Sequence, residues 1–207
     1  MEIKNRLCID LEPGQKLFFT SDLHFGHRNI LTFCSRPFND VKEMSTKLIE
    51  YWNETVSNND IVVSLGDFSW WDSNTEIRKI LSKLNGKKIY LIPGNHDTDK
   101  GYRSLPENVE LLGSTVQMWV RGLTESNPNK VTELFLCHYP MMTYPHRNNG
   151  VVQLFGHIHS NPVRGKEGVD QDLPLYPGQQ YDVGVDNNNY RPVEIRTVFE
   201  KLGKDFK

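Results

Sequence analysis

Lys16-Leu17-Phe18-Phe19-Thr20-Ser21-Asp22-Leu23-His24-Phe25-Gly26-His27-Arg28-Asn29-Ile30 is the stretch on which the fold turns. Its first five residues form an apolar run of strand length, Lys16 to Thr20, which reads as a short buried strand. The run stops abruptly at a carboxylate and an imidazole, Asp22 and His24. Upstream, Glu12-Pro13-Gly14-Gln15 places Pro and Gly at the central positions of a type II turn, which predicts a hairpin leading into this strand.

The same pattern recurs along the chain. Asp60 to Leu65 is followed by Gly66-Asp67, and Lys88 to Ile92 by Pro93-Gly94-Asn95-His96-Asp97. Glu133 to Cys137 is followed by His138, and Val151 to Phe155 by Gly156-His157-Ile158-His159. Five apolar runs thus end in groups able to ligate a metal, and five of the seven histidines lie there. A lone histidine is a surface or core residue by default, but five strand ends sharing the trait argue for a site. In α/β sheets, ligands bind beyond the carboxyl ends of the strands. Gly66, Gly94 and Gly156 each precede a candidate ligand, where a residue without Cβ allows a sharp turn and close approach of an ion or phosphate.

Two helices separate the early runs. Val41, Met44, Leu48, Ile49, Trp52 and Val56 share one helical face, with Asp40 and Glu43 as a capping-box-like start. Ile77, Ile80, Leu81 and Leu84 mark a second helix, from near Ser73 to Gly86. Thr115 to Val120 and Tyr181 to Val185 read as further strands, and Pro192 as the first residue of a closing helix through Leu202. Asn161 to Gln180, rich in Pro and Gly, reads as a long loop that could enclose a small hairpin. Alternating strands and helices give an α/β layered domain. The later strands have few helices between them, which points to mixed sheets or two sheets packed face to face.

The chain has 207 residues, with 24 basic against 26 acidic side chains and a formal net charge of −2. That length suits one domain, 1–207, with a core that needs no disulfides. The charge leaves no global footprint for nucleic acid, which stays possible without being indicated, or for a membrane surface. No apolar run is long enough for a membrane span, and the start lacks the apolar segment of a signal peptide. Three cysteines without a CxxC suggest buried, inert thiols in a reducing, cytoplasmic compartment.

Imidazole, carboxylate and amide oxygens without a thiolate cluster exclude a Cys-rich structural zinc site. A mixed N/O set suits Mn, Fe, Zn or Ni. Seven candidate ligands exceed the needs of one tetrahedral ion and suit two divalent ions about 3.5–4 Å apart, the usual device for attack on phosphorus.

In this order, Asp22-x-His24, Gly66-Asp67, Gly94-Asn95-His96-Asp97, His138 and Gly156-His157-x-His159 resemble the calcineurin-like metallophosphoesterases. Residues 22–30 are similar to a subgroup of small bacterial and phage phosphoesterases with a DLHFGHxNI motif. The resemblance implies an α/β fold, a four-layer α/β/β/α sandwich of two mixed sheets flanked by helices. It implies two divalent ions, Mn favoured, and hydrolysis of phosphate mono- or diesters by a bridging hydroxide. Asp22, His24 and His159 would hold one ion, Asn95, His138 and His157 the other, and Asp67 would bridge. His96 would contact the phosphate and protonate the leaving oxygen, with Asp97 orienting it. An imidazole, ordinarily titrating at about 6.5, suits that task near neutral pH.

Departures narrow the resemblance. Gly66-Asp67 continues as Phe68-Ser69-Trp70-Trp71 and not as the Asp-Arg-Gly of protein Ser/Thr phosphatases, and Asp97 stands where they carry Glu. Only Ser160 to Lys207 follow the last motif, too little for the capping domain of the large nuclease members. Arg28 and His27 lie where a substrate phosphate would dock, Arg28 with a surface ion pair as its alternative. Trp70 and Trp71 could stack on a base or split between core and surface. His146 and Arg147 either rim the pocket or belong to a surface loop. Asp186 forms a turn or bonds to a ligating histidine. The Lys87/Lys88 and Arg164/Lys166 pairs read as solvated surface. The expected substrate is a small phosphate ester, a phosphodiester or phosphorylated metabolite. The alternatives are a nuclease, which the charge disfavours, and a non-catalytic scaffold, which should have lost ligands that this chain keeps.

Overall fold

A computed structural model describes residues 4–71, 73–160 and 175–205. Two five-stranded sheets are built from β1 (Arg6–Asp10), β2 (Leu17–Thr20), β3 (Ile61–Ser64), β4 (Lys88–Leu91), β5 (Val109–Leu111), β6 (Thr115–Arg121), β7 (Thr132–Cys137), β8 (Val152–Phe155), β9 (Gln180–Asp182) and β10 (Val193–Glu194). One sheet runs β10-β2-β3-β4-β5, parallel except for β10. The other runs β1-β6-β7-β8-β9 and is parallel except between β6 and β7. The helices are α1 (Ile30–Phe33), α2 (Val41–Thr55), α3 (Asn74–Leu81) and α4 (Ile195–Lys201). This is the expected α/β arrangement of two mixed sheets flanked by helices.

Burial explains why β2 and β3 are continuous apolar runs. They are covered on both faces, as parallel strands require. Phe19 and Val63 face the other sheet, where they meet Val116, Met118, Leu134, Leu136 and Leu154. Phe18 and Val62 face Met44, Leu48 and Trp52 of α2 and Ile77 and Ile80 of α3. β6 instead alternates buried and half-buried positions. Asp40 caps α2 through the backbone N–H groups of Lys42 and Glu43 at 2.8 Å, while Glu43 reaches back to Asn39 N rather than to the cap itself. No described helix is long and apolar enough to cross a membrane.

Several expectations are corrected. The 12–15 turn closes as read, with Gln15 N donating to Glu12 O and Gly14 at φ 79°, but it makes no hairpin. β1 pairs with β6 and β2 with β3 and β10, so the turn carries the chain from one sheet to the other. α3 ends at Leu81, earlier than the apolar spacing suggested. The closing helix begins at Ile195, because Val193 first pairs with Phe19 as a sheet edge. The strand expected at 181–185 stops at Asp182, and Val185–Asn187 form a 3-10 turn. β5 and the single turn of α1 were not anticipated. Cys34 and Cys137 are buried, but Cys8 is exposed because β1 buries alternate residues and Cys8 falls on the outer face. Most of the 161–180 loop, with Arg164 and Lys166, lies outside the described residues.

Candidate metal centre

The five motif segments leave β2, β3, β4, β7 and β8 at their carboxyl ends. β2, β3 and β4 are neighbours in one sheet, β7 and β8 in the other. Backbone N–H groups tie these loops together, within one set and across to the other. Asp22 N donates to Gly66 O at 3.0 Å and His24 N to Asp67 O at 2.9 Å. His157 N donates to both Asp22 carboxylate oxygens, at 3.1 and 3.0 Å. The glycines serve this crowding: a Cβ at Gly94 would overlap the Asp67 carboxylate, and one at Gly156 would overlap Ser21 and Asp22.

Asp22, His24, Asp67, His157 and His159 all have φ between 48° and 72°. Side chains rarely adopt that left-handed region, and each instance costs on the order of 1–3 kcal/mol. Nine described non-glycine residues share it, and five are candidate ligands. Strain is therefore concentrated where side chains are aimed.

The aimed atoms form two groups. Asp22, His24 and His159 make one, Asp67, His138 and His157 the other, with ligand atoms in each within 4.8 Å of one another. Asp67 Oδ2 lies 3.6 Å from His24 Nε2 and 3.5 Å from His138 Nε2, so this carboxylate stands between the groups. His159 Nε2 is 3.7 Å from Asp22 Oδ1, and His138 Nε2 is 3.0 Å from Asn95 Oδ1. Two ligand atoms each about 2.1 Å from a tetrahedral ion would sit roughly 3.4 Å apart. His24 Nε2 is fully buried without a hydrogen-bond partner among the described residues. Such an orphan costs about 1–3 kcal/mol unless something binds it. The donor set and its spacing fit divalent cations.

Hydrogen bonds behind the ligand atoms aim them. His138 Nδ1 lies 2.8 Å from Leu65 O, an acceptor only, so Nδ1 carries the proton and Nε2 turns to Asp67. His159 Nδ1 lies 2.8 Å from Asp186 Oδ2. Asp186 also accepts from Arg36, Nε at 3.0 Å and Nη2 at 2.7 Å. Arg36 donates onward to Asp22 O at 2.6 Å and Leu23 O at 3.0 Å. Both members of the Arg36–Asp186 pair have side chains 0% exposed.

Charges are strongly shifted. Burial, reinforced by His159 and Arg36, drives the His24 imidazole down to about 2. Burial also pulls His159 down, but Asp22 and Asp186 outweigh it and hold that imidazole up at about 11. Burial pushes Asp67 up, yet His138 and the His96 N–H hold it well below the usual carboxylate range. A site that keeps Asp67 ionised and His24 neutral presents the lone pairs that a dication binds.

The other sequence expectations divide. His96 sits at the mouth, 36% exposed, with Nε2 3.9 Å from Asp67 Oδ2. Asp97 accepts from Asp67 N, Phe68 N, Gly94 N and the Tyr102 hydroxyl. These bonds clamp the loop after β4 onto Asp67, and the His96 ring is not among the partners of Asp97. His27 is buried, with Nδ1 3.2 Å from His24 Nδ1, so it backs a candidate ligand. Arg28 is exposed and enters no ion pair among the described residues. Trp70 and Trp71 split: Trp71 packs inward over Gly26, while Trp70 is half-exposed and stacks on His27 at 3.9 Å and 12°. His146 pairs with Glu133 and Arg147 lies over Tyr176, a surface arrangement. Lys87 and Lys88 are surface ion-pair partners of Glu12 and Glu110. Arg36 and Tyr102 were missed. Neither is distinguished by spacing; each finds its partner only in three dimensions.

A family profile described as calcineurin-like phosphoesterase matches residues 15–144. An uncharacterized protein of Methanocaldococcus jannaschii is 30% identical over 192 residues, 92% of this chain and 93% of that protein. The gene 66 protein of Mycobacterium phage D29 is 29% identical, covering 72% of this chain and 80% of the phage protein. The crystal structure of a protein of unknown function from Aquifex aeolicus superposes with a TM-score of 0.64 at 24% identity, over 90% of this chain and 99% of that one, a likeness of fold.

Proposed function

We propose, since the chain belongs to the calcineurin-like phosphoesterase family, that it hydrolyses small phosphate esters at the cluster around Asp67 with two divalent ions as cofactors. The observation that carries this reading is the Asp67 carboxylate, 3.6 and 3.5 Å from histidines of the two ligand groups. Asp22, His24 and His159 would hold one ion and Asn95, His138 and His157 the other, with Asp67 placed to serve both. The mixed N/O set suits Mn, Fe, Zn or Ni, with Mn favoured. Bound ions supply Lewis acidity, activating a water and offsetting charge on the phosphoryl oxygens.

The chain's own side chains do the rest. His96, at the mouth, gives a proton from its imidazolium to the ester oxygen as the P–O bond to it breaks, while the water oxygen forms the new bond to phosphorus and the water's proton passes to solvent, from which His96 is reprotonated. Asp97 contributes indirectly, by clamping the backbone of Asp67 and Gly94 so that the ligand and the proton donor keep their spacing. Arg28, exposed and unpaired with any described carboxylate, steers the substrate phosphate. The Arg36–Asp186 pair holds His159 in the orientation that presents Nε2 to the ion. Net charge −2 fits a small substrate better than a polyanion, and two buried free thiols fit the cytoplasm.

The test is a panel of p-nitrophenyl mono- and diesters and nucleotides with Mn²⁺, Ni²⁺, Fe²⁺ and Zn²⁺. Metal-dependent release abolished by Asp67→Asn supports the reading. No hydrolysis with any metal contradicts it.

A further inference from the structure

Five large apolar side chains are well exposed among the described residues: Phe33, Trp70, Val131, Tyr139 and Met142. Isolated exposed apolar groups need no account. Here, however, all three aromatic ones stand against histidines at or beside the metal centre. Trp70 lies 3.9 Å from His27 and 5.0 Å from His96, ring to ring, and Phe33 meets His27 edge-on at 6.3 Å. Tyr139 stands by the other ligand group, 4.7 Å from His157 and 5.1 Å from His138.

Trp70 is held in place before any ligand arrives. Its backbone N–H donates to Phe25 O at 2.9 Å, and one indole face lies flat on buried His27. The indole is still 49% exposed. A fixed, wet aromatic face costs little entropy to stack upon. A flexible aliphatic tail would gain more from a continuous aliphatic groove, whereas this rim alternates rings with polar imidazoles. A heteroaromatic base matches both, with a π-face for Trp70 and polar edges for water and imidazole.

We propose that Trp70 is a base-stacking platform, so that the substrate class is small nucleoside phosphate esters. This rests on the phosphoesterase reading, with the phosphate at Asp67 and His96 and the base one sugar away on Trp70. A polymer would favour a strongly basic protein surface, and a net charge of −2 weighs toward a small ester instead.

The test compares AMP with ribose 5-phosphate, which has a hydroxyl in place of the base, each as its hydrolysis-resistant phosphonate analogue, by calorimetric titration of metal-loaded protein. Stacking on an aromatic side chain makes wild type bind AMP about 5- to 100-fold more tightly. Trp70→Ala should lose most of that ratio and leave ribose 5-phosphate affinity unchanged, while Trp70→Phe should retain much of it. Equal affinities in wild type, or an equal loss of both ligands in Trp70→Ala, would overturn the stacking role while leaving the phosphate site intact. Binding of neither ligand would overturn the phosphate site as well. A single-stranded oligonucleotide binding far more tightly than AMP would replace the small-nucleotide class with nucleic acid.

Discussion

His159 turns its two ring nitrogens toward two different carboxylates: Nδ1 lies 2.8 Å from Asp186 Oδ2, and Nε2 lies 3.7 Å from Asp22 Oδ1. The first contact fixes the ring and the second faces the metal centre. Arg36 ties both together, binding the Asp186 carboxylate with two nitrogens and the Asp22 backbone carbonyl with one of them.

Asp186→Asn should therefore do two separable things. Losing one partner of a buried ion pair should destabilise the fold by about 3–5 kcal/mol. Loosening His159 should weaken metal affinity by about 10–100-fold. An apolar replacement of both partners, Arg36→Met with Asp186→Leu, should recover much of the stability and none of the metal affinity. Recovery of metal binding along with stability would show that the pair only supports the fold.

The same pair sets a pH dependence. Burial pushes the Asp186 carboxyl up, but Arg36 and His159 outweigh it and hold it at about 2, below the ordinary 3.8. An acid depressed in the folded state contributes stability above its unfolded pKa and loses it as pH falls toward the folded value. Metal-free protein should lose stability between roughly pH 4 and pH 2, and Asp186→Asn should flatten that part of the curve in denaturant titrations. Parallel curves would contradict the assignment.

How much of this was legible in the sequence follows from the physics of each part. The seven candidate ligands could be read because strand ends convert a linear pattern into a convergent one. The buried runs of β2 and β3 were legible because continuous apolar runs mark covered parallel strands. Partnership was not legible. The turn at 12–15 looks the same whether it closes a hairpin or changes sheets. Val193 looks helical until Phe19 claims it as a strand partner. Arg36 and Asp186 lie 150 residues apart, and nothing local in either marks a buried pair. The burial of His27 against His24 was likewise not legible in the sequence.

His96→Ala should cut turnover by about 10²–10⁴-fold while both metals stay bound. The loss should be larger for alkyl or nucleoside esters, whose alkoxides need the proton, than for p-nitrophenyl esters. Steady-state rates across leaving groups measure this. A uniform loss would make phosphate contact the dominant role of His96, and loss of metal would make it a ligand.

Asp67→Asn should be the most damaging ligand change, since the Asp67 carboxylate faces both groups and an amide cannot supply its charge. Metal content after dialysis should fall further than in Asn95→Ala, whose side chain serves one group. An equal or greater fall in Asn95→Ala would contradict the bridging position.

The central claim is the dinuclear centre, and the most direct measurement is the metal content of protein reconstituted with Mn²⁺ and freed of excess by gel filtration. Two ions per chain are expected, falling to one or fewer in Asp67→Asn. One ion or none in the unaltered protein would contradict the account.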